Sequence, residues 1–180
     1  MAHPPGTHWS YSSGTTNVIC RALRQVLGDA AYYRLPHDAL FEPLGMRSAL
    51  IELDSAGHFV GSSLGWATPR DWARFGLLWV QDGVWDGQRI LPEGWVQWCT
   101  QAAEHSNGRY GGHLWLKLED DGSGAELPPD TIHAAGHDRQ LVTMIPSEEL
   151  VVVRLGLTRN RVSWDQEQFV ADLLEVLRRP

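Results

Sequence analysis

The spacing of the apolar residues changes near residue 108, and this change constrains the fold more than any other feature of the sequence. Up to this point apolar residues recur every three or four positions, which is the spacing of amphipathic helices. Beyond it they alternate with polar residues or form short unbroken runs, which is typical of strands. Helices followed by an antiparallel meander, with one more helix packed on the meander, predict an α+β fold and not the alternating order of a parallel sheet.

The first portion of the chain, residues 1–104, is predicted to be mainly helical. A loop rich in hydroxyl groups leads into a helix whose apolar residues repeat from Val18 to Leu27, and Thr15, Thr16 or Asn17 is the expected N-cap. The other predicted elements are a helix near Tyr33 to Phe41, a hairpin over residues 48–60 and a helix over residues 92–100.

The clearest helix start in the sequence lies at Thr68. Thr68 is the expected N-cap and Pro69 suits the first helical position, because its missing N–H group has no partner there in any helix. Asp71 follows at the third position, where its carboxylate would face the free N–H groups of the first turn. These residues predict a helix that runs to Asp82–Gly83.

The second portion, residues 105–180, is predicted to be an antiparallel sheet with a C-terminal helix, and both portions are expected to belong to one domain. A capping box predicts the start of that helix, with Ser163 as N-cap and Gln166 at the third position. A tight turn at Pro146–Glu149 joins the last two strands. The predicted strands are His113–Leu118, Thr131–Ala135, Gln140–Ile145 and Leu150–Leu155.

Net charge and hydropathy exclude several classes of function. The chain carries 15 Lys and Arg against 22 Asp and Glu, a formal net charge of −7, so we expect no nucleic-acid partner. No run approaches the roughly 18 apolar residues of a membrane span, and residues 1–6 lack the pattern of a signal peptide, so we expect no membrane partner. Cys20 and Cys99 form no paired framework and are expected to be free thiols, which suits a reducing compartment and favours the cytoplasm.

We expect neither a metal nor another cofactor. His133 and His137 are four positions apart, but they fall in a strand-to-loop region rather than on one helix face. Paired cysteines and the His-Glu-x-x-His motif of zinc sites are absent from the sequence.

The loop Tyr11–Ser13 is the first candidate for chemistry. A tyrosine at the mouth of a helix can act as a general base if a nearby cation stabilises its phenolate, since an unperturbed tyrosine titrates near pH ~10. Ser13 could orient a substrate or bind a lysine. The alternative is a surface turn with a half-buried tyrosine.

The segment Gly136–Arg139 is the second candidate. A glycine beside a strand lets a backbone N–H group approach a ligand closely, as the donor of an oxyanion hole must. His137 and Asp138 are polar residues at a strand edge in an otherwise apolar region. The alternative is a loop pair that satisfies its own hydrogen bonds.

Gly61–Gly65 fits the Gly-x-Ser-x-Gly pattern of a nucleophile elbow, with Ser63 as the nucleophile and Asp130 and His133 downstream. The sequence context argues against this hypothesis. An elbow needs a buried strand before it and a helix immediately after it, whereas only Phe59 and Val60 precede this one.

Six segments, spread over nearly the whole chain, form a series of motifs: Pro5–Gly14, Phe41–Met46, Ala67–Gly76, Asp86–Leu91, Ala135–Gln140 and Ile145–Pro146. In their order and spacing they resemble the motifs of the serine β-lactamase and penicillin-binding-protein-like hydrolases. This family includes class C β-lactamase-like proteins, carboxylesterases and 6-aminohexanoate-dimer hydrolases. The resemblance implies the β-lactamase/transpeptidase-like fold.

The resemblance implies roles for several residues. Tyr11 would be the motif tyrosine that moves the proton between nucleophile and leaving group, and Ser13 stands where many relatives have Asn. Gly136 would be the glycine of the third motif, with the N–H group of His137 as an oxyanion donor.

Two positions near the third motif depart from the family pattern. Ala134 stands where many relatives have Lys or His, so a cationic anchor for a carboxylate is missing, and this favours esters or small amides over β-lactam antibiotics. Arg139 stands where glycine is usual and would bring a bulky cation near the cleft.

The family nucleophile lies in a Ser-x-x-Lys motif, which this sequence lacks. Its one lysine is Lys117, and Leu114 stands three positions before it. We therefore interpret the chain as the C-terminal half of such a hydrolase, an incomplete domain that is inactive alone. It would need its N-terminal half or self-association to cover exposed apolar surface. The alternative is a non-catalytic binding or assembly module that keeps the cleft wall.

Overall fold

The computed structural model describes residues 3–118, 125–159 and 164–179. Its helices are α1 (Ser13–Leu27), α2 (Asp29–Pro36), α3 (Pro69–Val80), α4 (Trp95–Cys99) and α5 (Gln166–Leu177). Its strands are β1 (Leu50–Ile51), β2 (Gly65–Trp66), β3 (Val84–Trp85), β4 (Gln88–Arg89), β5 (Ile132–Gly136), β6 (Gln140–Ile145) and β7 (Leu150–Arg154). Helices precede an antiparallel sheet and a last helix covers it, so the predicted α+β class is confirmed.

The core is a three-layer stack in which the sheet β5–β6–β7 lies between α3 and α5. Successive side chains of the central strand β6 point to opposite faces, so Val142 and Met144 pack in the cluster with Trp79 of α3. Ile145 packs on the other face with Val170 and Leu174 of α5. Burial on both faces is the reason why apolar residues of β6 follow one another, with Thr143 as the one polar residue among Leu141–Ile145, instead of alternating with polar residues.

Helix α3 lies unusually close to the sheet because of Gly76. A Cβ atom at this position would lie 2.5 Å from Cγ1 of Val151 and 3.1 Å from Cγ1 of Val142. Only a residue without a side chain therefore permits this contact between α3 and strands β6 and β7. The cluster around Trp79 also contains Cys99, Leu114 and Ile132, so residues on both sides of position 105 share one core.

The start of α3 has the predicted arrangement. Thr68 is the N-cap and its side chain accepts a hydrogen bond from the N–H group of Asp71. The buried Asp71 carboxylate also accepts bonds from the N–H group of Ser48 at 2.9 Å and from its hydroxyl at 2.6 Å, and it pairs with Arg74. These donors hold the pKa of Asp71 below its ordinary value despite its burial.

Several predicted boundaries differ from the structure, and the helix predicted over residues 92–100 is the shorter α4, Trp95–Cys99. Helix α1 begins at Ser13 with Ser12 as N-cap, ahead of the predicted caps, because the extended backbone ends at Ser12. The predicted second helix begins earlier, at Asp29, and continues through Pro36 as a π-helical turn. Asp165 caps α5 by accepting from the N–H group of Gln168, whereas the predicted cap, Ser163, lies outside the described residues.

The predicted strand His113–Leu118 is wrong. The backbone of His113 is left-handed (φ 62°), which breaks an extended run, and Trp115 alone in this segment pairs with β5. The predicted hairpin over residues 48–60 exists as a bridge between Leu53 and Phe59, but strand β1 pairs with the later β2.

Helix α1 presents its apolar residues to solvent. None of its residues is buried, and Val18 and Val26 are 67% and 82% exposed. An amphipathic helix normally gains most of its stability by burying such a face. Separately, no helix of the described residues is both long and apolar enough to cross a membrane.

Candidate active site

A cavity of about 200 Å³ lies between the start of α1 and strand β5. The hydroxyl-rich loop before α1 lines one side of the cavity, and the edge of the sheet lines the other side. The lining residues are Tyr11, Ser12, Ser13, Thr16, Gly61, Ser62, Tyr110, His113, Trp115, Ala134 and Ala135.

The start of α1 places three hydroxyl groups at one side of this cavity. Ser12 is the N-cap in an extended conformation, Ser13 is the first helical residue, and Thr16 follows one turn later. The helix therefore begins at the cavity wall, with its free N–H groups and these side chains at the same end. The ring of Tyr11, directly before the helix, is 56% exposed.

Aromatic rings from distant parts of the chain surround Tyr11. Its ring centroid lies 5.1 Å from that of Trp115 and 5.5 Å from that of Tyr110. Burial, together with the neighbouring Tyr11, raises the pKa of Tyr110 to about 12. Tyr110 is therefore a neutral phenol at any physiological pH.

The sheet side of the cavity is the outer edge of β5. Ala134 and Ala135 line it, and the chain then turns through Gly136 into a single 3₁₀ turn, His137–Arg139. Asp138 and Arg139 in this turn have left-handed backbones, with φ of 55° and 66°. The imidazole of His137 is 95% exposed.

Arg154 of β7 holds the turn after Gly136 in place. Its guanidinium donates to the carbonyl of Asp138 at 3.2 Å and to that of Arg139 at 2.8 Å. Gln140 adds a second constraint, because its amide donates to the carbonyl of Gly156 and accepts from the N–H group of the same residue. Hydrogen bonds of Arg154 and Gln140 therefore hold the backbone of the candidate oxyanion segment, Gly136–Arg139, in one conformation.

The structure brings some of the predicted site residues together and leaves others at the margin. Tyr11 and Ser13 line the same cavity as β5. Gly136 is the last residue of that strand, and His137 and Arg139 follow it. None of the three is among the described lining residues, so the guanidinium of Arg139 is not part of the cavity wall.

Four lining residues were not predicted as site residues, namely Thr16, Tyr110, His113 and Trp115, and Gly61 and Ser62 were predicted only as part of the elbow candidate. The sequence feature that could have predicted part of this set is the pair Gly111–Gly112, which lies between Tyr110 and His113. A Cβ atom on Gly111 would lie 2.1 Å from the carbonyl oxygen of Cys99, so the chain must pass there without a side chain. This close approach carries the following residues to the cavity.

The described lining residues include neither Lys nor Arg. A tyrosine that acts as a general base needs a cation to lower its pKa. The cavity wall therefore lacks the group that this chemistry requires.

The elbow hypothesis fails on geometry. Ser63 lies in a turn that leads into β2 and not into a helix. The Asp130 carboxylate accepts from the hydroxyl of Ser147 at 2.8 Å and from its N–H group at 2.7 Å. His133 is fully buried against Thr143, and burial lowers its pKa to about 4. Both proposed partners of Ser63 are therefore hydrogen-bonded to other residues, Asp130 to Ser147 and His133 to Thr143.

Comparison with known proteins gives a family and a fold. The family model described as "Beta-lactamase" matches residues 1–173. A solved structure named "Putative 6-aminohexanoate-dimer hydrolase from Bacillus anthracis" is similar with a TM-score of 0.72 and 22% identity, over 97% of this chain and 44% of that one. Another, named "putative beta-lactamase from Bacteroides dorei DSM 17855", is similar with a TM-score of 0.68 and 16% identity, over 97% of this chain and 59% of that one.

At these identities the two structures show the shared fold alone. The chain spans about half the length of either of them. No curated protein matches it.

Proposed function

The chain belongs to the beta-lactamase family, and from that premise we propose that it forms two walls of a cleft that hydrolyses an ester or amide bond through an acyl-enzyme on a serine. The nucleophile itself would come from a Ser-x-x-Lys segment outside these 180 residues. The observation that carries the proposal is the cavity shared by Tyr11 and the edge of β5.

In this proposal Tyr11 moves the proton between the nucleophile and the leaving group. Its hydroxyl can do so only when a cation holds the phenolate, and the lining contributed by this chain has no Lys or Arg. The lysine of a Ser-x-x-Lys segment would supply that charge. Ser13, on the first turn of α1, would orient the substrate or bind that lysine.

The turn after β5 would stabilise the oxyanion. Gly136 lets the backbone approach the substrate, and the N–H group of His137 would donate to the developing negative charge. Arg154 supports this role because it fixes two carbonyl groups of the turn, and a donor that is already oriented needs no rearrangement in the transition state.

The exposed face of α1 is the proposed docking surface for the nucleophile-bearing segment. The residues Val18, Ile19, Leu23, Val26 and Leu27 leave an exposed apolar stripe on the helix whose first turn lines the cavity. In the structures that match, this fold is only part of a longer chain. We propose that the other part of such a domain covers the stripe, and that a second copy of this chain covers it where that part is missing.

A fluorophosphonate probe tests the reaction. The 180-residue chain alone should give no covalent adduct. If the reading frame upstream of residue 1 encodes a Ser-x-x-Lys segment, the extended protein should be labelled at that serine. In the extended protein, Tyr11→Phe should slow labelling by about 100-fold or more. Tyr33→Phe is the matched control, because the Tyr33 hydroxyl bonds the carbonyl of Gly57 outside the cavity.

Two results would contradict the proposal. An adduct on a serine of the chain alone, Ser63 above all, would return the nucleophile to these residues. An upstream frame without Ser-x-x-Lys would favour the alternative function, a non-catalytic binding or assembly module.

A further inference from the structure

Four aromatic side chains form one continuous wall at the cavity. The ring of Tyr110 is the centre, with centroids of Trp9 and Tyr11 at 5.5 Å and of Trp115 at 5.0 Å. Three of these rings, those of Tyr11, Tyr110 and Trp115, line the cavity, and Trp9 packs against two of them from outside the lining. Rings in tilted and edge-to-face contact support one another and present flat apolar surface.

The wall is fixed to the sheet before any ligand arrives. The backbone N–H group of Trp115 donates to the backbone carbonyl of His133 at 2.9 Å, and the backbone carbonyl of Trp115 accepts from the backbone N–H group of His133 at 2.8 Å. His133 belongs to β5, two positions before the cavity-lining Ala135. A surface that is ordered in advance loses little conformational entropy on binding.

The charge of the cavity excludes one kind of ligand. The lining residues of the described chain include no Lys, Arg, Asp or Glu. Their polar side chains are the hydroxyls of Ser12, Ser13, Thr16, Ser62 and the two tyrosines, and the imidazole of His113. Tyr110 stays neutral because its pKa is raised to about 12. The free N–H groups at the start of α1 attract an anion, but their partial charge offsets only part of the cost of removing a carboxylate from water, because the lining has no Lys or Arg. A neutral amide or ester loses far less on leaving water and can bond to the hydroxyl groups.

We propose that this aromatic wall binds the flat, apolar group of an uncharged ester or amide, and that the cavity discriminates against carboxylates. The inference rests on the proposed function, since the bound group would be the one attached to the bond that is cleaved. It adds a recognition element built from Trp115 and Tyr110, to which no role is given above.

The test is binding to the 180-residue chain, measured by NMR titration of the indole N–H signals. The probes are N-methylphenylacetamide and phenylacetate, which share a ring and differ in charge. The neutral amide should bind at least about tenfold more tightly than the carboxylate. Trp115→Leu should weaken amide binding by about tenfold, and Trp115→Phe should restore most of it, because the ring face is kept.

Trp98→Leu is the matched control. Trp98 is 59% exposed and stacks on Trp95 in α4, outside the cavity lining, so its loss should leave binding unchanged. Equal or tighter binding of phenylacetate overturns the proposal, and this comparison needs no variant. Unchanged amide binding in a folded Trp115→Leu chain overturns it as well.

This experiment is independent of the reaction. It uses no nucleophile, so amide binding can be present while fluorophosphonate labelling of the extended protein fails, or the reverse. Amide binding without labelling would support the recognition site and contradict the proposed reaction. Labelling without amide binding would support the reaction and contradict the recognition site.

Discussion

His133 is a fully buried residue whose charge state should affect the stability of the fold. It is fully buried on β5 and its Nδ1 lies 3.0 Å from the hydroxyl of Thr143, to which Gln166 of α5 also donates. Burial lowers its pKa from 6.5 to about 4, so the folded chain holds a neutral imidazole that the unfolded chain protonates more readily.

The pH dependence of stability follows from this difference. The unfolded chain binds the extra proton below pH 6.5, so the free energy of unfolding should fall as the pH is lowered from there to about 4. From pH 7 to pH 5 the expected loss is about 2 kcal/mol. Urea unfolding at the two pH values measures it. His133→Asn should remove most of the loss, and an undiminished loss in that variant would contradict the assignment to His133.

Asp71 is the second residue whose removal should be costly. Its buried carboxylate accepts two hydrogen bonds from Ser48 and pairs with Arg74. Asp71→Ala would leave these donors unpaired and should lower the free energy of unfolding by about 2–4 kcal/mol. Asp82→Ala is the control, because the ion pair of Asp82 with Arg89 is exposed. Its loss should lower the free energy of unfolding by less than about 1 kcal/mol. Similar losses in the two variants would refute the argument.

At the scale of elements, the packing of α3 on the sheet depends on the absence of a side chain at Gly76. Gly76→Ala would bring a methyl group to 2.5 Å from Val151, so strand and helix would have to separate. We expect a loss of about 1–3 kcal/mol in the free energy of unfolding.

Gly14→Ala is the matched control for this prediction. Gly14 lies in the first turn of α1, and a Cβ atom there would meet only the hydroxyl oxygen of Ser12 at 3.6 Å. The substitution should be neutral or slightly stabilising. Thermal unfolding of both variants tests this prediction. A Gly76→Ala chain as stable as the Gly14→Ala chain would show that the contact between α3 and the sheet is not tight.

Local signals predicted individual elements well where the structure is determined by neighbouring residues. The start of α3 was readable because cap, proline and carboxylate act within one turn. The β6–β7 hairpin was readable because the turn at Pro146–Glu148 separates two apolar runs. The segment after Gly112 was misread, because a single left-handed residue, His113, ends an extended pattern without changing its apolar spacing.

At the scale of the whole molecule, the described residues leave the apolar face of α1 largely uncovered. This apolar stripe adds no buried residue to the core, so the purified chain should associate or bind a hydrophobic dye. Val26→Glu should shift size-exclusion chromatography toward a 20.2 kDa monomer and reduce dye binding. Gln25→Glu adds the same charge at the neighbouring position as a control. A wild-type chain that elutes as a compact monomer and binds no dye would contradict this prediction.

The amino-acid order alone determined the class of the fold, the helix start at Thr68, the central hairpin and the segments that carry Tyr11 and Gly136. These features arise from hydrogen bonds and side-chain periods within a few residues, so they can be read locally. Only the tertiary structure decided that Tyr11 meets Trp115 and Tyr110, that Arg139 lies outside the cavity lining, and that α1 faces solvent. Such contacts join residues about a hundred positions apart, and they depend on how the helices and the sheet pack.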